Sequence, residues 1–169
     1  HTWQSEIERF LPNKNSLVLH GAGRKKLFPE IEGSDIVITS YGSLTRDLDD
    51  YPELVFPLVV ADEASILKNP GTQVAKTLAR TSCRSRIALS GTPVENSVQD
   101  LWSIMTFVNP GYLEPLREFL SIYVTASADK MKRLHRRIAP FVLRRTKNEV
   151  ASELPGKIDK IIYCELSAQ

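Results

Sequence analysis

Cysteine and histidine are scarce in this chain of 169 residues: two cysteines, Cys83 and Cys164, and three scattered histidines, with no metal-ligand spacing among them. A zinc site is therefore not expected, and so small a thiol count fits a reducing, intracellular setting rather than a disulfide-stapled secreted domain. No apolar run approaches the roughly 20 residues that cross a bilayer, and the start lacks the basic stretch and apolar core of a secretory leader. No membrane partner is expected. What is present is ordinary for a globular domain: 42% hydrophobic and 25% charged residues, in a chain long enough to bury one core.

Charge is scarce as a net quantity, at +2, yet it is unevenly laid out. Lys130, Lys132, Arg133, Arg136, Arg137, Arg144, Arg145 and Lys147 fall in one window that holds no acid, while the rest of the chain has 14 basic against 20 acidic residues. A basic block on an otherwise acidic chain suits an anionic partner, nucleic acid first, or else a solvated helix face.

The opening HTWQSEIERFLPN spaces Trp3, Ile7, Phe10 and Leu11 as a helix does and stops at Pro12. It begins abruptly, without a start methionine, so the chain is expected to be a piece of something larger. Strands are expected at Ser16 to His20, Asp35 to Ser40, Leu58 to Ala61 and Arg86 to Ser90, separated by 15 to 30 residues that include helical patterns. That spacing requires crossover connections and hence a parallel sheet. The fold expected is α/β. Gly21-Ala22-Gly23 looks like a turn that ends a strand, since the GxxxxGK[ST] order that cradles phosphate is found nowhere in the chain.

The central stretch is LVVADEASIL, Leu58 to Leu67. An apolar run without polar alternation reads as a strand covered on both faces, with Asp62 and Glu63 emerging at its carboxyl end, where open α/β sheets place ligands. Burying an unpaired carboxylate is costly, and a divalent metal would relieve it: Asp62 on magnesium, Glu63 on the attacking water. Alternatively the two acids merely open a helix, at its positive dipole end. A second polar tip, Ser90-Gly91-Thr92, belongs to the same edge of the sheet, although Gly-Thr-Pro is also common turn chemistry. Hydroxyls at a third tip, Thr39 to Tyr41, suit either a phosphate contact or a helix cap at Ser40 or Ser43. From Val98 onward the pattern turns helical, over 98–109, then LREFLSIYVT, then KMKRLHRRI, before a connector and a final strand, IDKIIYCEL.

DIVITSYGSL, LVVADEASILKNP, RIALSGTPVENSVQDLWSIMTFVNPGYL and IAPFVLRRTKNEVASELPGK, in that order, closely resemble the first motor lobe of SWI/SNF-type ATPases, helicase superfamily-two proteins that translocate on double-stranded DNA. The resemblance implies a RecA-like lobe of the P-loop NTPase class, truncated at its N-terminus (1–97), a helical protrusion (98–139), a connector (140–157) and the start of a second lobe (158–169). It implies ATP and magnesium as cofactors, with Asp62 on the metal, Glu63 activating water, and Ser90, Gly91 and Thr92 linking the nucleotide state to DNA. Thr39, Ser40 and Tyr41 match a segment that touches a DNA strand. Arg136, Arg137, Arg144 and Arg145 are candidate DNA contacts, the last two alternatively facing the other lobe.

Three departures bear on this. The phosphate-binding loop would precede residue 1, the second lobe is missing, and Ser65 stands where the family usually has His or Gln. The chain alone is thus expected to be nearly inactive, and its uncovered sheet edge to favour self-association. The setting expected is intracellular, cytoplasm and nucleoid if bacterial. The competing reading is a non-catalytic DNA- or protein-binding module that keeps the lobe's shape, and a GxGKT motif upstream of His1 would decide between them.

Overall fold

In the computed structural model, residues 2–91 and 97–145 are described; Thr92, most of the connector and the expected final strand lie outside them. Contacts divide the chain into two units, between Ala126 and Ser127. The first takes in the strands and also the first two helices of the expected protrusion, while the third helix belongs to the second unit.

In the first unit the order is α1 (Thr2–Phe10), β1 (Ser16–Leu19), β2 (Ile36–Thr39), α2 (Tyr41–Asp47), β3 (Phe56–Ala61), α3 (Gln73–Arg80), β4 (Cys83–Ala88), α4 (Val98–Val108) and α5 (Leu116–Tyr123). Three of these helices, α2, α3 and α4, begin at a side-chain cap. Ser40 accepts from the Ser43 N–H, Thr72 from the Ala75 N–H and Ser97 from the Asp100 N–H, each relieving a donor that the first turn leaves without a partner. The Gly21–Gly23 turn runs into a 3-10 segment, Arg24–Glu30.

All described strands pair in parallel, in two ladders: β1 with β2, and β3 with β4. The β3–β4 register sets Val59 beside Arg86 and Ala61 beside Ala88 on one face, with Leu58 beside Ser85 and Val60 beside Ile87 on the other. The first face is packed: Ala61 joins Leu44, Ala64, Leu67, Leu78, Ile104 and Phe107 in one cluster, flanked by Val59 and Ala88. Burying such side chains stabilises by about 1.5–3 kcal/mol each for the larger ones.

The other face departs from the expectation of a strand covered on both sides. Leu58, Val60 and Ile87 are 44–46% exposed. The reason is the placement of the helices: α4 and the 3-10 segment Ala64–Lys68 pack on the Ala61 side, so an apolar run that permits two coverings receives one among the described residues.

A second cluster, Leu17, Leu19, Phe28 and Ile31, sits on β1 and the 3-10 segment after it. Tyr51 packs against both clusters, its ring edge-on to Phe28 at 4.9 Å between centroids. Beneath them Asp47 is 1% exposed and held by Arg24 through two bonds, Nε to Oδ2 at 2.5 Å and Nη2 to Oδ1 at 3.0 Å. The bidentate geometry is the form in which a buried carboxylate is tolerated.

The second unit contains α6 (Ala128–Ile138) and a 3-10 turn, Ala139–Phe141. Leu134 and Ile138 are buried, whereas Lys130, Lys132, Arg133 and Arg136 are exposed, and so is Met131, which the helical spacing places on the apolar side. No helix of the described residues is long and apolar enough to cross a membrane.

Candidate functional site

Asp62 and Glu63 stand just past the end of β3, in a turn that leads into the 3-10 segment Ala64–Lys68. The helix-opening alternative describes the local geometry, but without a cap: Glu63 precedes the segment and its side chain accepts no capping bond. Its backbone lies in the left-handed region, φ 47° and ψ 50°, the single non-glycine residue with positive φ among the described residues. An L-residue pays for that conformation, by about 1–2 kcal/mol, and such outliers cluster at functional sites.

The turn is knit to the tip of β4. The Leu89 N–H donates to the Ala61 carbonyl at 2.8 Å, and the Ala64 N–H donates to the Leu89 carbonyl at 2.8 Å. Parallel pairing thereby brings Asp62 and Glu63 to the same end of the ladder as Ser90 and Gly91. Thr92 lies outside the described residues. Ser65 donates its hydroxyl to the Glu63 carbonyl at 3.4 Å, a local contact within the turn.

Two residues from other elements meet Asp62. The Trp3 indole Nε1–H on α1 donates to Asp62 Oδ2 at 2.8 Å, while the Glu63 N–H donates to Oδ1 at 2.9 Å. Tyr41, the first residue of α2, donates its hydroxyl to the Asp62 carbonyl oxygen. Burial, with the nearby charges of Asp62 and Glu63, pushes the Tyr41 phenol up to about 12, so it remains a donor.

Of the expected DNA-contacting tip, then, Tyr41 is turned toward the carboxylate turn. Ser40 is the α2 cap and is exposed, and Thr39 donates to the Leu19 carbonyl at 3.4 Å. Arg136, on α6, and Arg144 and Arg145, after the 3-10 turn that follows it, are exposed; Arg137 is partly buried.

An ionised carboxylate offers roughly four lone-pair positions, and the two N–H donors on Asp62 take two of them. The remainder suit a hard cation. No group of three or more His, Cys, Asp or Glu residues that could hold a metal occurs among the described residues. A cation here would rest on one carboxylate and on oxygens brought by a ligand, which is the habit of magnesium beside phosphates.

The whole chain, residues 1–169, matches the SNF2-related domain. It belongs to that family. Among curated relatives, the SNF2-related chain is 35% identical over 177 residues to "Putative ATP-dependent helicase/translocase YwqA" of Bacillus subtilis, covering 99% of this chain and 19% of that protein. It is 32% identical over 185 residues to human "TATA-binding protein-associated factor 172", covering 98% of this chain and 10% of that one. Among solved structures, "Sulfolobus solfataricus SWI2/SNF2 ATPase core in complex with dsDNA" superposes with a TM-score of 0.78 at 41% identity, covering 89% of this chain and 32% of that chain. The SNF2-related chain thus has the α/β, RecA-like fold of the SWI2/SNF2 ATPase core it superposes on, and spans between about a tenth and a third of the proteins it matches.

Sequence reasoning reached Asp62, Glu63 and Ser90 through apolar runs that end in polar residues. It missed Trp3, which it used only as a helix-face residue. Trp3 falls in a helical apolar pattern with Ile7 and Phe10, and nothing local says that its indole meets a carboxylate.

Proposed function

We propose that the protein carrying this domain couples ATP hydrolysis to movement along double-stranded DNA, with Asp62 and Glu63 at the hydrolytic site. The observation that supports it is the joining of the β3 and β4 tips through Leu89, which gathers two carboxylates, Ser90 and the backbone of Gly91 at one end of a parallel ladder. The family membership, a relative named as an ATP-dependent helicase/translocase and a solved neighbour bound to duplex DNA point the same way.

In this reading magnesium and ATP supply the transferable phosphoryl group and the charge that shields it. Asp62 holds the cation through carboxylate positions left open by Trp3 and Glu63 N–H. Glu63, exposed in the turn, orients a water and takes its proton. Ser90, Gly91 and Thr92 sense the nucleotide's terminal phosphate and pass its state to the DNA-facing side. Thr39 and Ser40 touch the DNA backbone, as do Arg136, Arg137, Arg144 and Arg145, so binding is strong without reading base sequence. A second lobe completes the nucleotide site, the isolated chain turns over little ATP, and its open β3–β4 face and sheet edges favour self-association. The setting is intracellular, with DNA.

The test is hydrolysis of ATP by the full-length protein with and without duplex DNA. Hydrolysis raised by duplex and lost in Asp62→Asn is expected. Equal activity in wild type and Asp62→Asn overturns the assignment.

A further inference from the structure

Asp62 is held at three points by atoms from three places: its Oδ2 by the α1 indole, its Oδ1 by the next backbone N–H, and its carbonyl by the α2 phenol. The backbone donor travels with the turn and Tyr41 grips the main chain, so neither fixes the carboxylate against an outside frame. The Trp3 indole does. It reaches the side chain across 59 positions of sequence, from a separate helix. Trp3 is also 45% exposed, so packing alone is a weak reason for its position.

An N–H that donates to an ionised carboxylate makes a strong, directional bond. It fixes the rotation of the carboxylate plane and directs the unused lone pairs outward. Hydrogen bonds of this kind behind a metal-binding group typically change metal affinity or activity by about 10–100-fold when removed.

We propose that Trp3 is a positioning residue for the metal-binding carboxylate of Asp62, its indole N–H setting the orientation in which the divalent cation is received. The proposal rests on the metal role of Asp62 given above. Trp3 does not touch the cation; it acts through Asp62. Because α1 carries it, any displacement of α1 would be felt as a change in cation affinity.

The experiment uses the full-length protein, Mn2+ as a paramagnetic substitute for magnesium, and ADP as the nucleotide, with bound Mn2+ measured by its resonance signal. Trp3→Phe keeps an aromatic ring and removes the N–H. Its Mn2+ affinity in the presence of ADP is expected to fall about 10-fold or more, with the melting temperature close to wild type. The nucleotide affinity measured without metal should stay the same. Asp62→Asn is run in parallel. If Asp62→Asn loses Mn2+ and Trp3→Phe binds it like wild type, the positioning role is overturned while the metal assignment stands. If Asp62→Asn binds Mn2+ like wild type, the metal assignment falls and the Trp3 role with it. A fall in Trp3→Phe that tracks a loss of folding, seen as an equal drop in metal-free nucleotide binding, also counts against positioning.

Discussion

Trp3 and Tyr41 lie on different helices and bond the same residue, Asp62, one at the side chain and one at the main chain. Tyr41 belongs with Thr39 and Ser40 to the segment that the resemblance links to DNA, and its hydroxyl reaches the main chain 21 positions further on.

Tyr41 is expected to titrate late. Its phenol rises from 10.0 to about 12 through burial first and then the charges of Asp62 and Glu63. A group whose folded value is raised stabilises the fold below its unfolded value and loses that contribution as pH climbs toward the folded one. The window is therefore pH 10 to about 12. The difference in tyrosinate absorbance between wild type and Tyr41→Phe should emerge only near the top of it; emergence around pH 10 would contradict the burial of this phenol beside the charges of Asp62 and Glu63.

Glu63 carries opposed demands. Its left-handed backbone favours glycine, while the proposed proton acceptor requires a carboxylate. Glu63→Gly should raise stability by about 1 kcal/mol, a few degrees in melting temperature for a domain of this size, and remove hydrolysis. Glu63→Gln should leave stability and ATP binding unchanged and lower turnover by about 10²–10⁴-fold. Calorimetry with a turnover assay on both variants checks the pair. Unchanged turnover in Glu63→Gln would take Glu63 out of the chemistry.

Acid should weaken the fold through Asp47. The bonds from Arg24 hold its carboxyl below the ordinary 3.8, against an opposing push from burial. A lowered carboxylate contributes above its unfolded value and loses that contribution as pH falls through the folded one. The loss is thus expected below pH 3.8 and not near neutrality. Asp47→Asn, which leaves Arg24 without its charge partner, should lower the neutral melting temperature by roughly 5 °C or more and flatten the acid limb of a pH–stability curve. A melting temperature equal to wild type would mean that the ion pair contributes nothing net.

Much of this fold was legible in sequence because its cues are local. Apolar runs ending at Ser40, Asp62 and Ser90 mark strands, and Ser40 is one of two candidate helix caps that the sequence offers, the one the structure uses. The crossover lengths implied parallel pairing, and β1–β2 and β3–β4 are parallel. What was not legible depends on distance. Arg24 finds Asp47 across 23 positions and Trp3 finds Asp62 across 59, and no periodicity encodes such meetings. The open side of β3 departs from its sequence pattern for a related reason: Leu58 and Val60 permit burial, but only the arrangement of helices decides whether a cover arrives. The left-handed Glu63 was hidden because glutamate is not a residue that announces positive φ.

The basic stretch around α6 yields a prediction in salt. Arg136, Arg144 and Arg145 are exposed, as are Lys130, Lys132 and Arg133. Each phosphate neutralised by one of them releases condensed counterions, contributing about 0.9 to the slope of log affinity against log salt. Arg136→Ala in the full-length protein should therefore weaken duplex binding at low salt and reduce that slope by about 1, equally for unrelated DNA sequences. A solvated helix face behaves differently: affinity shifts at most slightly with net charge, and the slope stays where it was. Measuring affinity for two unrelated duplexes at several salt concentrations separates the cases, and an unchanged slope in Arg136→Ala would remove this residue from the DNA-binding surface.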